Sequence, residues 1–165
     1  MIKFYDIDEN YVNWLQSIDT QVPNIAYRKN NKFLCGAVIE IDETKFYAPV
    51  SSNTKIFRTS LPIYDESTTP RTILSTIRFC FMIPAFDEVL TVKDFDVISK
   101  TDPTYANLIE KEWEYCRKHE NTIIEKAQQV YSIGCNPNHV FNYTCCKFDV
   151  LKSRYQEYKP DKNNI

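Results

Sequence analysis

Two hydroxyls, an amide, a third hydroxyl and an amine follow one another at Ser51, Ser52, Asn53, Thr54 and Lys55. From Lys45 to Tyr64 the chain carries no Asp or Glu. Hydroxyl and amide groups donate hydrogen bonds to phosphate oxygens, and a lysine with no acidic neighbour keeps its charge for them. The chemistry such a set suits is the binding and polarisation of a phosphate. The alternative is structural, because short polar side chains also bond nearby backbone and build turns. On these residues alone both readings stand.

The elements that must hold this segment are legible around it. Residues 33–41 are strongly β in character, 42–44 form a polar turn, and 45–48 return, which is the pattern of a hairpin. Gly36 inside the first strand predicts a bend or a close backbone approach, and Pro49 predicts the end of ladder pairing. Residues 2–5 read as a short strand, and Asp8 as the N-cap of a helix to Ile18 with Tyr11, Trp14, Leu15 and Ile18 on one face. Residues 51–71 read as a long irregular segment, 74–83 as a strand interrupted by Pro84, and 89–92 as its resumption. Asp102-Pro103 opens a helix to Lys118, residues 121–133 form another that Gly134 stops, and Thr144 caps a last one to Tyr158. The expected fold is α+β. A compact antiparallel, partly barrel-like sheet carries flanking helices, and the C-terminal half is mostly helical. The 165 residues read as a single domain with a flexible tail over 159–165.

Composition narrows the function. Only 2 Gly cannot build a dinucleotide fingerprint or a P-loop. A net charge of −2 excludes a globally basic nucleic-acid binder but leaves room for a local patch. The charge is unevenly spread along the chain: Arg28, Lys29 and Lys32, then Lys45, Lys55, Arg58, Arg71 and Arg78, with acids gathered at residues 6–9 and from Asp87 onward. That layout suits one polyanion. No run approaches the ~20 apolar residues of a membrane span, and residues near the start are acidic, so the expected location is the cytoplasm, with the six Cys as thiols.

The remaining constellations are weaker. His119 and His139 are the only histidines, and neither neighbours the basic segment in sequence. Cys135, His139, Cys145 and Cys146 lack the spacing of a structural zinc site. Asp6, Asp8 and Glu9 fit a helix N-terminus better than a metal cluster. No metal or cofactor is expected. Tyr11, Tyr27, Phe81 and Met82 are candidates for base stacking or for packing.

Taken together, several pieces resemble the toxins of type III toxin–antitoxin systems, the ToxN/AbiQ/CptN group. They are Lys3-Phe4-Tyr5, Tyr11, Val22-Pro23-Asn24, Lys32 before the strand ending Val38-Ile39-Glu40-Ile41, Tyr47-Ala48-Pro49, Ser51-Ser52, Lys55 and Phe81-Met82-Ile83-Pro84. Each piece is short, but the ordered set spans most of the chain.

The resemblance implies a sequence-specific endoribonuclease that processes, and is inhibited by, a small repeated RNA antitoxin. It implies a closed protein–RNA assembly with antitoxin repeats of pseudoknot type, and a role in phage defence or plasmid maintenance. It assigns Ser51, Ser52, Lys55 and Lys32 to catalysis, with Thr54 as a second candidate because Asn53-Thr54 shifts the spacing by one residue. Tyr11 and Tyr27 match family positions. With Arg28, Lys29, Arg58 and Phe81 they make up the expected RNA-binding set. RNA carries its own nucleophile, the 2′-OH, so the protein needs only to align the attack and stabilise charge. That gives a metal-independent reaction ending in a 2′,3′-cyclic phosphate. A non-catalytic RNA-binding module on the same basic face, and a protein-interaction domain, are the rival readings.

Overall fold

The computed structural model describes residues 1–23 and 35–160. The expected site residues Tyr27, Arg28, Lys29 and Lys32 fall outside that range, as does most of the tail.

Local chemistry accounts for the first elements. Strand β1 (Phe4–Ile7) leads to Asp8, whose carboxylate accepts from the Asn10 and Tyr11 N–H groups and starts helix α1 (Glu9–Ile18). Strands β2 (Gly36–Ile41) and β3 (Thr44–Ser51) form the expected hairpin, in register Ile41↔Thr44 through Gly36↔Pro49. Its two turn residues, Asp42 and Glu43, both adopt positive φ, at 47° and 60°. A side chain at Gly36 would enter the Tyr47 ring, so the close approach expected there is real.

The sheet continues through β4 (Ser60–Asp65), β5 (Thr72–Arg78), β6 (Ile83–Ala85) and β7 (Leu90–Val92), in the order β4-β5-β3-β2-β1-β7, with β6 on β3. All pairings are antiparallel. Along one edge, β3 pairs first with β6 at residues 45–47 and then with β5 at Val50 and Ser51. The sheet therefore turns at β3 and wraps the core, while the described β4 and β7 do not pair, so it stays open.

Three expectations about this half are corrected. Pro49 does not end β3. Having no N–H, it sits where the ladder changes partners, and the Val50 N–H donates to the Cys35 carbonyl at 2.9 Å. The segment 51–71 contains strand β4, which tolerates Pro62 because it lies at the sheet edge. Pro84 lies within β6 and does not break it from its partner, pairing with Phe46.

Helices α2 (Phe95–Thr101), α3 (Pro103–Lys118), α4 (Glu120–Cys135) and α5 (Phe148–Arg154) follow. Asp102 caps α3 with Pro103 in its first turn, as expected. Helix α4 ends at Cys135, one residue past Gly134, and Phe148 packs where a side chain on that glycine would be. Thr144 belongs to a single 3-10 turn, and α5 begins only at Phe148. The core draws on both halves: Phe46 of β3 packs on Tyr131 and Phe148, with ring centroids 5.4 and 6.2 Å away. No helix among the described residues is long and apolar enough to cross a membrane.

Candidate active site

Strand β3 ends on the pair Ser51↔Thr76. Beyond it residues 52–58 are exposed, and local hydrogen bonds give them their shape. Ser51 Oγ accepts from the Asn53 N–H at 3.2 Å, and the Lys55 N–H donates to Asn53 Oδ1 at 3.0 Å. From the neighbouring strand, the buried Thr76 hydroxyl donates to the Asn53 carbonyl at 2.8 Å. At the far end Ser60 Oγ accepts from the Phe57 N–H at 2.9 Å, and the Ser60 N–H donates to the Phe57 carbonyl at 3.1 Å. The loop is thus pinned to the sheet at both ends.

The structural reading holds for part of the segment. Ser51 and Asn53 build the turn. Ser52, Thr54 and Lys55 are left at the surface. Ser51 is buried, and its Oγ accepts one bond and keeps its O–H for donation. Lys55 forms no ion pair with a described residue; its Nζ lies 5.1 Å from the Phe57 ring centroid. A cation over an aromatic face is held without being neutralised.

Arg58 and Phe81 line one groove of about 460 Å³ beside this loop. Its other walls come from Ile56, Phe57, Thr59, Arg78 and Cys80, and from Phe141, Tyr143 and Thr144 beyond α4. The Arg58 guanidinium lies 5.7 Å from the Phe141 ring centroid. Arg58 is also felt by Lys126 of α4, whose pKa is lowered by burial and then by the Arg58 charge. His139, which sequence separated from the basic segment, is brought to its edge: its Nδ1 accepts from the Phe141 N–H at 3.1 Å. His119 stays apart, at the α3–α4 junction, with Nε2 3.0 Å from Glu66. Among the described residues no three His, Cys, Asp or Glu side chains are placed to hold a metal ion, the Cys135–Cys146 set included.

Tyr11 is not available for base stacking. Its ring is fully buried, packs against Phe86 and Tyr158 with centroids 5.5 and 5.1 Å away, and its hydroxyl donates to the Pro84 carbonyl at 2.6 Å. Met82 is likewise wholly buried. The residues beside the loop and groove that sequence reasoning missed are Phe57, Thr76, Phe141 and Tyr143. Arg78 was visible as one of the basic series. Nothing local marks Phe141 or Tyr143, which reach the groove only through tertiary packing.

The model of the ToxN toxin family of type III toxin–antitoxin systems matches residues 3–156. The chain belongs to this family. Curated relatives match over most of the chain. "Endoribonuclease ToxN" of Bacillus thuringiensis subsp. kurstaki is 26% identical over 168 residues, covering 95% of this chain and 84% of that protein. The protein of the same name from Pectobacterium atrosepticum is 26% identical over 165 residues, covering 95% and 94%. Among solved structures, a toxin from work on selective inhibition by a non-coding RNA pseudoknot superposes with a TM-score of 0.83 at 22% identity, covering 97% and 99% of the two chains. The lactococcal anti-phage endoribonuclease AbiQ gives 0.77 at 16%, covering 96% and 98%. These likenesses show that this chain shares the overall fold of those structures.

Proposed function

We propose that this ToxN-family chain is a sequence-specific endoribonuclease toxin, acting as one domain in the cytoplasm. On this reading it processes, and is inhibited by, a small RNA antitoxin of repeated pseudoknots, in a closed protein–RNA assembly used in phage defence. The observation that carries the catalytic part is the pinned loop 52–58, which holds Ser52, Thr54 and Lys55 at the surface beside an aromatic, basic groove. The family membership and the names of the relatives support the reaction type.

The step follows from what these residues offer. The ribose 2′-OH gives up its proton as its oxygen attacks the adjacent phosphorus, the bond from phosphorus to the 5′-oxygen breaks and that oxygen takes up a proton, and the products are a 2′,3′-cyclic phosphate and a 5′-hydroxyl. Ser51 and Ser52 donate hydrogen bonds to a non-bridging oxygen, with Thr54 as the alternative donor. Lys55 stabilises the charge that grows there, and Lys32 assists. Arg58, Phe81, Arg28, Lys29 and Tyr27 bind the flanking RNA. The loop's attachment to Thr76 keeps these donors in place before the substrate arrives, which is where electrostatic stabilisation is largest.

The test is chemical. Cleavage of an RNA substrate should survive excess EDTA, and one 2′-deoxy substitution immediately 5′ of the cut should stop it while binding is kept. Normal cleavage of the deoxy substrate, or loss with EDTA, would assign the nucleophile to water or metal hydroxide. A stable, uncut RNA complex under all conditions would favour the non-catalytic binding module.

A further inference from the structure

Arg78 closes strand β5 opposite Ser60 and lines the groove beside the loop. It is only 9% exposed. Its guanidinium lies 4.4 Å from the Phe57 ring centroid and 5.4 Å from that of Phe81. Its Nε is buried without a hydrogen-bond partner, and the side chain makes no ion pair with a described residue. A buried cation is costly unless something pairs with it. Two aromatic faces offset part of that cost but accept none of its in-plane N–H bonds. Arg78 therefore brings a guanidinium flanked by two rings, its charge unpaired by any described residue, to the wall of a cavity of about 460 Å³ that Ile56, Phe57, Arg58, Phe81, Phe141 and Tyr143 also line.

From this geometry we infer that the groove takes one unstacked purine base of the RNA and that Arg78 reads its N7. The inference rests on the endoribonuclease reading above and adds to it a specificity-determining residue. A phosphate would meet Arg58 and Arg78 here but would leave the faces of Phe57, Phe81, Phe141 and Tyr143 without a partner. A base has two apolar faces for the rings and acceptors on its edge, which is how single-stranded RNA is read. Both purines present N7 on the Hoogsteen edge, and guanine adds O6; the matching edge of a pyrimidine presents a C5 position in place of N7. Arg78 and Lys55 lie over the same Phe57 ring, so the base belongs to a nucleotide next to the phosphate held at Lys55.

The experiment uses the intact protein and needs no mutation for its main readout. Each purine flanking the cleaved bond of an RNA substrate is replaced singly by its 7-deaza analogue, which lacks only the N7 acceptor. At one flanking position the wild-type protein should lose roughly ten- to a hundredfold in kcat/KM, the usual effect of one charge-assisted hydrogen bond. Arg78→Lys should cut the natural RNA more slowly and be indifferent to the analogue at that same position. Unchanged cleavage of every 7-deaza RNA by the wild type overturns the inference, as does an Arg78→Lys protein that keeps the full sensitivity. If Arg78→Lys instead lowers affinity for all sequences alike and flattens the salt dependence, the guanidinium meets phosphate and the purine reading is wrong. In each of those cases RNA is still cut, so the proposed function stands. A wild-type protein that neither cuts nor binds any RNA removes the function and the inference together.

Discussion

At the scale of single residues, the exposed loop and the buried core ask different things of similar side chains. Ser51→Ala and Lys55→Ala should each abolish RNA cleavage and toxicity without unfolding the protein; full growth inhibition by both would remove the site assignment. Thr76→Val is the sharper variant. It keeps the shape of a buried side chain but deletes the hydroxyl that holds the Asn53 carbonyl, so kcat should fall while Tm moves little. A Thr76→Val protein with wild-type kcat would show that the loop needs no anchor there. Tyr11 makes the opposite case. Tyr11→Phe leaves the ring in the core but strands the Pro84 carbonyl, which should lower stability by about 1–3 kcal/mol. Cleavage by the folded variant should be unchanged, because the ring never reaches RNA. A denaturant midpoint equal to wild type would show that the Pro84 carbonyl finds another donor.

At the scale of elements, what could be read from sequence was whatever is decided locally. Helices α1 and α3 carry their own start signals, Asp8 and Asp102-Pro103, and the β2–β3 hairpin carries its own alternation. Strand β4 was hidden because Ser60, Pro62 and Tyr64 look like a loop until β5 lies beside them. Gly134 marked the end of α4 to within one residue, but that it also makes room for Phe148 has no local signature. The acid-free loop was legible as chemistry, whereas the groove beside it joins residues from 56 to 144 and has no linear signature. The hairpin turn gives a prediction at this scale. Glu43 sits at φ 60° in a two-residue turn where Gly is favoured. Glu43→Gly should stabilise the protein by roughly 0.5–1 kcal/mol, the range for relieving a left-handed residue less the added freedom of the unfolded chain. A lower Tm for this variant would mean that the Glu43 side chain contributes more than its backbone costs.

At the scale of the whole molecule, a buried acid ties stability to pH. Glu112 of α3 is 4% exposed, and burial pushes its pKa up to about 7. The Ser75 hydroxyl, which has no hydrogen bond of standard geometry, pulls the other way. Its surroundings include Cys35, Cys116 and Tyr105, with the Lys93–Asp6 ion pair nearby. Because the folded value lies above the unfolded one, this group's contribution is complete below about pH 4.5 and is lost as pH rises through about 7. The loss is on the order of 3 kcal/mol, the free-energy equivalent of such a shift. Asp65 acts at the other limb. Hydrogen bonds from Lys111, and then from Ser67, hold its carboxyl down to about 2, so its contribution fades as pH falls from the ordinary carboxylate range toward that value. Stability should therefore be greatest in mildly acidic solution and decline toward neutrality. Glu112→Gln should remove most of that neutral-side decline while leaving the acid limb in place, because the amide needs no proton to stay buried. Urea unfolding of both proteins between pH 5 and 8 measures this directly, and parallel curves would show that Glu112 keeps the same protonation in the folded and unfolded chains.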